Sequence, residues 1–251
     1  MNLGYACINM ELSQPIKEGR RIIRERITTN RSMIKRTFKE RGLAYASQLA
    51  LQNCLDLEEI LKWNESKGIK FFRMSSEIFP WASEYKFEDL PDWKEIKKSL
   101  VRTGFYATLK DHRLTFHPGP FNKLTSPKEH VILNTIRDLE IHGKVLDEMG
   151  LSRTPYNKIN IHVGAHYNNK PMAISNFCKN FERLSESVRS RLTVENDDKA
   201  SLYSTKELYE EVHKRISIPV VHDLHHHTFC TGGLTNSEAI KLAAETWGMV
   251  K

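Results

Sequence analysis

At 251 residues, with 39% hydrophobic and 27% charged positions, the chain can bury one sizeable core, and this excludes a wholly disordered polymer. No apolar run is long enough to span a bilayer, and the opening MNLGYACINMEL lacks the basic-then-apolar pattern of a secretory signal. The net charge of +7 is concentrated in residues 17–41, where ten basic residues stand against Glu18, Glu25 and Glu40, an excess equal to that of the whole chain.

A local basic segment points to a polyanion partner, because releasing counterions from phosphates drives such binding; a solvated helix face or loop would look the same on charge alone. Four cysteines, Cys7, Cys54, Cys178 and Cys230, form no CxxC pair. Together with the missing signal, this predicts a reduced, cytoplasmic chain, nucleoid-associated in a prokaryotic or viral setting, with no membrane partner.

Taken in chain order, LGYACI (residues 3–8) reads as a short strand. Residues 41–68 carry apolar residues at helical spacing and end at Gly68, a helix C-terminal signal. IKFFRMSS (69–76) reads as a strand, and the segment from Trp93 as a helix stopping near Gly104. HRLTFH (112–117) reads as a strand ending at His117. Ser126 caps a long helix with Pro127 at its first position. Residues 158–164 form a strand, 170–191 a helix, 192–197 (LTVEND) a strand, 204–216 a helix and 218–223 (IPVVHD) a strand. A last helix is capped near Thr235 or Asn236. Six strand–helix alternations with apolar strands predict parallel βα units. Both a (β/α)₈ barrel and an open doubly wound sheet fit, but no GxGxxG or GxxxxGK[ST] occurs to support a nucleotide-binding sheet.

Polar residues recur where these strands end: His117, His162, Glu195, then Asp223 and His226. In a parallel barrel such ends share one rim, where catalytic groups are gathered from several strands. Imidazole with carboxylate suits divalent metals. Metal ions a few ångströms apart stabilise the attacking and leaving oxygens of phosphoryl displacement. With the basic segment, this makes phosphodiester hydrolysis in nucleic acid the leading reading; sugar isomerisation or epimerisation uses similar barrels and metals.

The segments LGYACINM, LDLEEILKWNESKGIKFFRMSSEIFPWAS, LTFHPGPF, INIHVGAHYNNK, LTVENDD and VVHDLHHH together resemble the ultraviolet damage endonuclease family, relatives of endonuclease IV, over nearly the whole chain. The resemblance implies a (β/α)₈ TIM-type barrel as a single domain over residues 1–251. With about six βα units present, the barrel would be incomplete at its C-terminus and lack the last strands. It implies a monomer that incises damaged double-stranded DNA 5′ to photoproducts such as pyrimidine dimers. The cofactor would be a divalent metal cluster, manganese first, with zinc or magnesium as alternatives.

The family motifs place metal ligands at His117, His162, Glu195, Asp223 and His226, with His222, His225 and Lys251 as alternates. Glu195 and Tyr5 take catalytic roles. Tyr5 and Asn9 would lie near the flipped lesion, and Arg73, Ser75, Ser76 and Lys123 would contact DNA, with Lys170 as a further phosphate contact. Pro120 and Phe121 fall where many members carry Gln then Tyr as a probe of the lesion. Phe121 can still wedge between bases; Pro120 cannot donate the hydrogen bonds of Gln. Two other readings stay open: an abasic-site endonuclease of the endonuclease IV type, and a truncated, non-catalytic DNA-binding homologue.

Overall fold

The computed structural model describes residues 3–248. Chain contacts divide it into two compact units, Met1–His117 with Val145–Ser152, and Pro118–Lys144 with Arg153–Lys251. Among the described residues no helix is long and apolar enough to cross a membrane.

In the first unit, β1 (Gly4–Ala6), β4 (Phe71–Arg73) and β5 (Arg113–Thr115) form a parallel sheet in the order β1-β4-β5. Their inward residues and extensions, Phe72, Met74, Leu114 and Phe116, are fully buried. The helix α1 (Lys35–Ser66) buries Ala46, Ala50, Leu57, Ile60 and Leu61 on one stripe. Each large aliphatic residue so buried contributes about 1.5–3 kcal/mol before entropy is counted. Gly42, at φ 64°, breaks α1 near its start, and Gly68, at φ 69°, follows its end as the sequence predicts.

The helix α2 (Trp93–Leu109) does not stop at Gly104 but runs through it. The glycine is there for packing: a Cβ at Gly104 would lie 1.8 Å from the Met149 carbonyl oxygen. The basic segment also holds an element the sequence reading did not foresee, an antiparallel hairpin of β2 (Ile16–Glu18) and β3 (Arg21–Arg24).

In the second unit, β6 (Ile159–His162), β7 (Leu192–Glu195) and β8 (Val220–Val221) form a second parallel sheet. Ile159, Ile161, Leu192, Val194 and Val220 fill its core. All six parallel strands are shorter than the apolar patterns predict, so His117, Asp197 and Asp223 lie beyond the strand ends. The chain also forms α3 (Glu129–Glu148), which starts after Ser126 and Pro127 rather than at them. Ser126 Oγ instead accepts the Lys128 N–H in the turn before it.

The helix expected over 170–191 is two, α4 (Lys170–Phe181) and α5 (Glu186–Arg189). Ser185 divides them by capping Val188, while Glu140 grips its backbone N–H and hydroxyl at 2.7 and 2.6 Å. Residues 205–216 form α6 (Thr205–Glu207), a π-helical turn (Leu208–His213) and α7 (Lys214–Ile216). After β8 come α8 (Leu224–His227) and α9 (Asn236–Glu245), the latter held by a capping box between Thr235 and Glu238. The fold is thus mixed α/β with six parallel strands, and neither parallel sheet closes on itself among the described residues.

Candidate metal and DNA site

The β6–β7 register sets the site. His162 and Glu195 are ladder partners, and Val221 pairs with Glu195 on the other side. Asp223 and His226 follow two and five residues beyond Val221, in the turn into α8. Glu195, Asp223 and His226 each offer a ligand atom within 4.8 Å of the others. The His162 and His226 rings lie 5.3 Å apart, centre to centre.

Each of these groups is held from behind. The buried Glu195 carboxylate accepts a hydrogen bond from the Asn160 amide, and Asn160 Oδ1 accepts one from the Thr193 hydroxyl at 2.7 Å. Asn160 shares a strand face with His162 because side chains alternate along a strand. Asn196 clamps the Asp223 backbone through two bonds, accepting its N–H at 2.7 Å and donating to its carbonyl at 3.1 Å. The Asp223 carboxylate then caps α8 by accepting the His226 N–H. His226 Nδ1 donates to the Asn196 carbonyl at 2.9 Å, which fixes the tautomer and leaves Nε2 as the basic nitrogen.

Two imidazoles and two carboxylates, with a backbone carbonyl orienting one ring and an amide pinning one carboxylate, are a donor set that fits a divalent ion. Beside it, Asp197 Oδ1 lies 3.4 Å from His162 Nδ1. Burial pushes the Asp197 carboxyl up to about 7, against the opposing pull of the Tyr203 N–H.

These residues open on a cavity of ≈ 490 Å³, whose lining includes His162, His226, Asp197, Pro120, Lys123 and Lys199. Phe121, on the adjoining loop, is 86% exposed. The other histidines of the run are engaged elsewhere. His222 bonds Thr205 through Nδ1 at 2.8 Å and faces Asn236 through Nε2 at 3.4 Å, and burial lowers its pKa. Buried His227 reaches the Leu234 carbonyl, and exposed His225 packs edge-on against Phe229.

In the first unit, His117 follows β5 by two residues, and its carbonyl accepts the Ser76 hydroxyl. Ser75 Oγ accepts the Glu77 N–H, and Arg73 ends β4. Half-buried Tyr5 donates to Asn64 at 2.6 Å and accepts from Asn9 at 2.8 Å. Burial raises its pKa against those two bonds. Asn9 Oδ1 is itself occupied by the Glu11 and Leu12 N–H groups, so this pair also builds the turn after β1. Lys170 forms an ion pair with Glu207 at 2.6 Å and donates to the Leu202 carbonyl, which commits it to the fold. Lys251 lies outside the described residues.

Over residues 1–251 the sequence matches the model of the UV-endonuclease UvdE family. The chain belongs to that family. It is 36% identical to the UV-damage endonuclease of Schizosaccharomyces pombe, over 98% of this chain and 40% of that protein. It is 32% identical to the UV DNA damage endonuclease of Clostridium perfringens, over 98% of this chain and 55% of that protein. The chain therefore spans about half the length of these relatives, or less. The crystal structure of SacUVDE superposes with a TM-score of 0.85 at 30% identity, covering 99% of this chain and 78% of that one. A D-psicose 3-epimerase from Clostridium cellulolyticum H10 superposes at 0.55 with 12% identity over 76% of this chain, a likeness of TIM-barrel-like fold alone.

Asn160 and Asn196, which hold Glu195, Asp223 and His226 in place, were not singled out from sequence. A signal was there for Asn160: a polar residue inside an otherwise apolar strand, two positions before His162.

Proposed function

We propose that this member of the UvdE family is a DNA repair endonuclease that hydrolyses the phosphodiester backbone 5′ to ultraviolet photoproducts. It would act as a monomer on damaged duplex DNA in the cytoplasm or nucleoid, with divalent metal ions, manganese first, as cofactor. The observation that carries the reading is the family match over the whole chain, joined to the grouping of Glu195, Asp223 and His226 beside a cavity lined by lysines.

His162, Glu195, Asp223 and His226 would hold the metal, with His117 added as a ligand from its sequence motif. The bound ion would supply Lewis-acid charge at the phosphoryl oxygens. The chain's own residues do the positioning. Asn160 keeps the Glu195 carboxylate from turning away, and the Asn196 carbonyl, accepting from Nδ1, holds the His226 ring in place. Lys123 and Lys199 neutralise the phosphate charge at the cavity, a role Lys fills as a point charge.

Phe121 would wedge beside the lesion, at little folding cost because it already stands in solvent. Arg73, Ser75 and Ser76 would contact the DNA backbone, with Tyr5 and Asn9 beside the displaced bases. Displacing bases costs least at a poorly stacked, damaged site, which itself gives selectivity.

The test is incision of an end-labelled duplex carrying one pyrimidine dimer, with manganese, zinc or magnesium added in turn. The expected product is a single nick immediately 5′ to the dimer, absent from undamaged duplex and absent with Glu195→Gln. No incision with any of the three metals, or equal incision of undamaged duplex, would overturn the reading. Incision of an abasic duplex but not of the dimer would replace it with the endonuclease IV type of activity.

A further inference from the structure

The hairpin of β2 and β3 has no place in the catalytic reading, and its chemistry is unusual. Eight of the ten basic residues in 17–41 are exposed; the others, Arg24 and Arg31, are used internally. Arg24 donates to the Glu11 and Gln14 carbonyls and ties down the base of the hairpin. Arg31 pairs with Asp56 at 2.6 Å. The outer part is different. Lys17, Arg20 and Arg21 surround the turn at Gly19, whose φ of 59° suits a tight reversal, and none of the three forms an ion pair among the described residues.

The ribbon is also bare on both faces. Lys17 pairs across with Ile22, and Glu18 with Arg21, so Ile22 and Ile23 point to opposite sides. They are 45% and 58% exposed, and Ile16 is 48% exposed. An isolated two-stranded ribbon is marginal in water. One that also shows β-branched residues on both faces gains stability by lodging in something. A partner that offers anionic walls to the cations and apolar base edges to the isoleucines is duplex DNA, whose major groove admits a two-stranded ribbon.

We propose that the 16–24 hairpin is a groove-seating ribbon that holds duplex DNA whether or not it is damaged, with Lys17, Arg20 and Arg21 on phosphates and the isoleucines against base edges. The inference rests on the reading of DNA as substrate, and assigns to the first unit a holding role separate from incision.

The full chain and a Lys17→Gln/Arg20→Gln/Arg21→Gln variant are titrated against an undamaged fluorescent duplex between 50 and 200 mM salt. All three side chains are exposed, so folding is retained, and circular dichroism checks this. Losing three phosphate contacts lowers the slope of log K against log salt by about 2.7, so the affinity loss over that salt range shrinks by roughly 40-fold. A control variant, Lys35→Gln/Arg36→Gln/Lys39→Gln at the start of α1, removes the same charge elsewhere and keeps the wild-type slope. A hairpin variant with an unchanged slope, or a control with an equal fall, overturns the assignment. Incision of dimer-containing duplex at saturating concentration is read in parallel. Wild-type incision with an unchanged hairpin slope sinks this inference alone. No wild-type incision with a reduced hairpin slope sinks the incision reading alone.

Discussion

Asn160 is the most informative residue to remove, because it touches the site only through Glu195. In Asn160→Ala the buried Glu195 carboxylate loses its amide donor and the buried Thr193 hydroxyl loses its acceptor. A hydrogen bond to a charged group contributes about 1.5–3 kcal/mol and a neutral one about 1 kcal/mol. The metal-free chain should thus lose about 2.5–4 kcal/mol. At about 2–4 °C per kcal/mol for a chain of this size, the melting midpoint should fall by about 5 to 15 °C. The same bond orients a carboxylate proposed to ligate metal, and loss of such supporting partners weakens metal affinity roughly 10- to 100-fold. Calorimetric titration with manganese measures the second effect, and thermal melting in chelator the first. A melting drop of the expected size with manganese affinity within twofold of wild type would refute the claim that Asn160 orients a metal ligand. Asn160 would then serve only the β6–β7 packing.

Three further outcomes follow from the same contacts. His226→Ala should abolish tight manganese binding, whereas His222→Ala should cost about 1 kcal/mol of stability through its Thr205 bond and leave metal titration unchanged. Gly104→Ala should destabilise by about 3 kcal/mol or more, since its methyl would overlap the Met149 carbonyl; urea denaturation reads this, and a shift under about 0.5 kcal/mol would mean that α2 slides freely. Phe121→Ala should leave stability within about 0.5 kcal/mol of wild type. It should still cost about 1–3 kcal/mol of preference for dimer-containing over undamaged duplex, the scale of one stacking contact, measured by competition binding.

The strand–helix alternation was legible because parallel strands buried on both faces leave apolar runs that no loop imitates; all six parallel strands lie where those runs predict. Strand ends were legible less well, since burial continues past the last strand residue, as at Met74 and Phe116. The α2 terminus was misread at Gly104 because glycine signals a helix end and a close packing contact with the same letter. The hairpin was hidden because its strands carry no buried face and so no alternation. The histidine run shows why a site needs coordinates. His222-x-x-His225 and Asp223-x-x-His226 have the same spacing, and no periodicity in the sequence separates them. What separates them is Asn196. By accepting the Asp223 N–H and giving its own carbonyl to His226 Nδ1, it turns one pair toward Glu195, while His222 bonds Thr205. Which pair lies beside Glu195, and so which pair is proposed to ligate metal, is therefore set by Asn196, one residue after that glutamate.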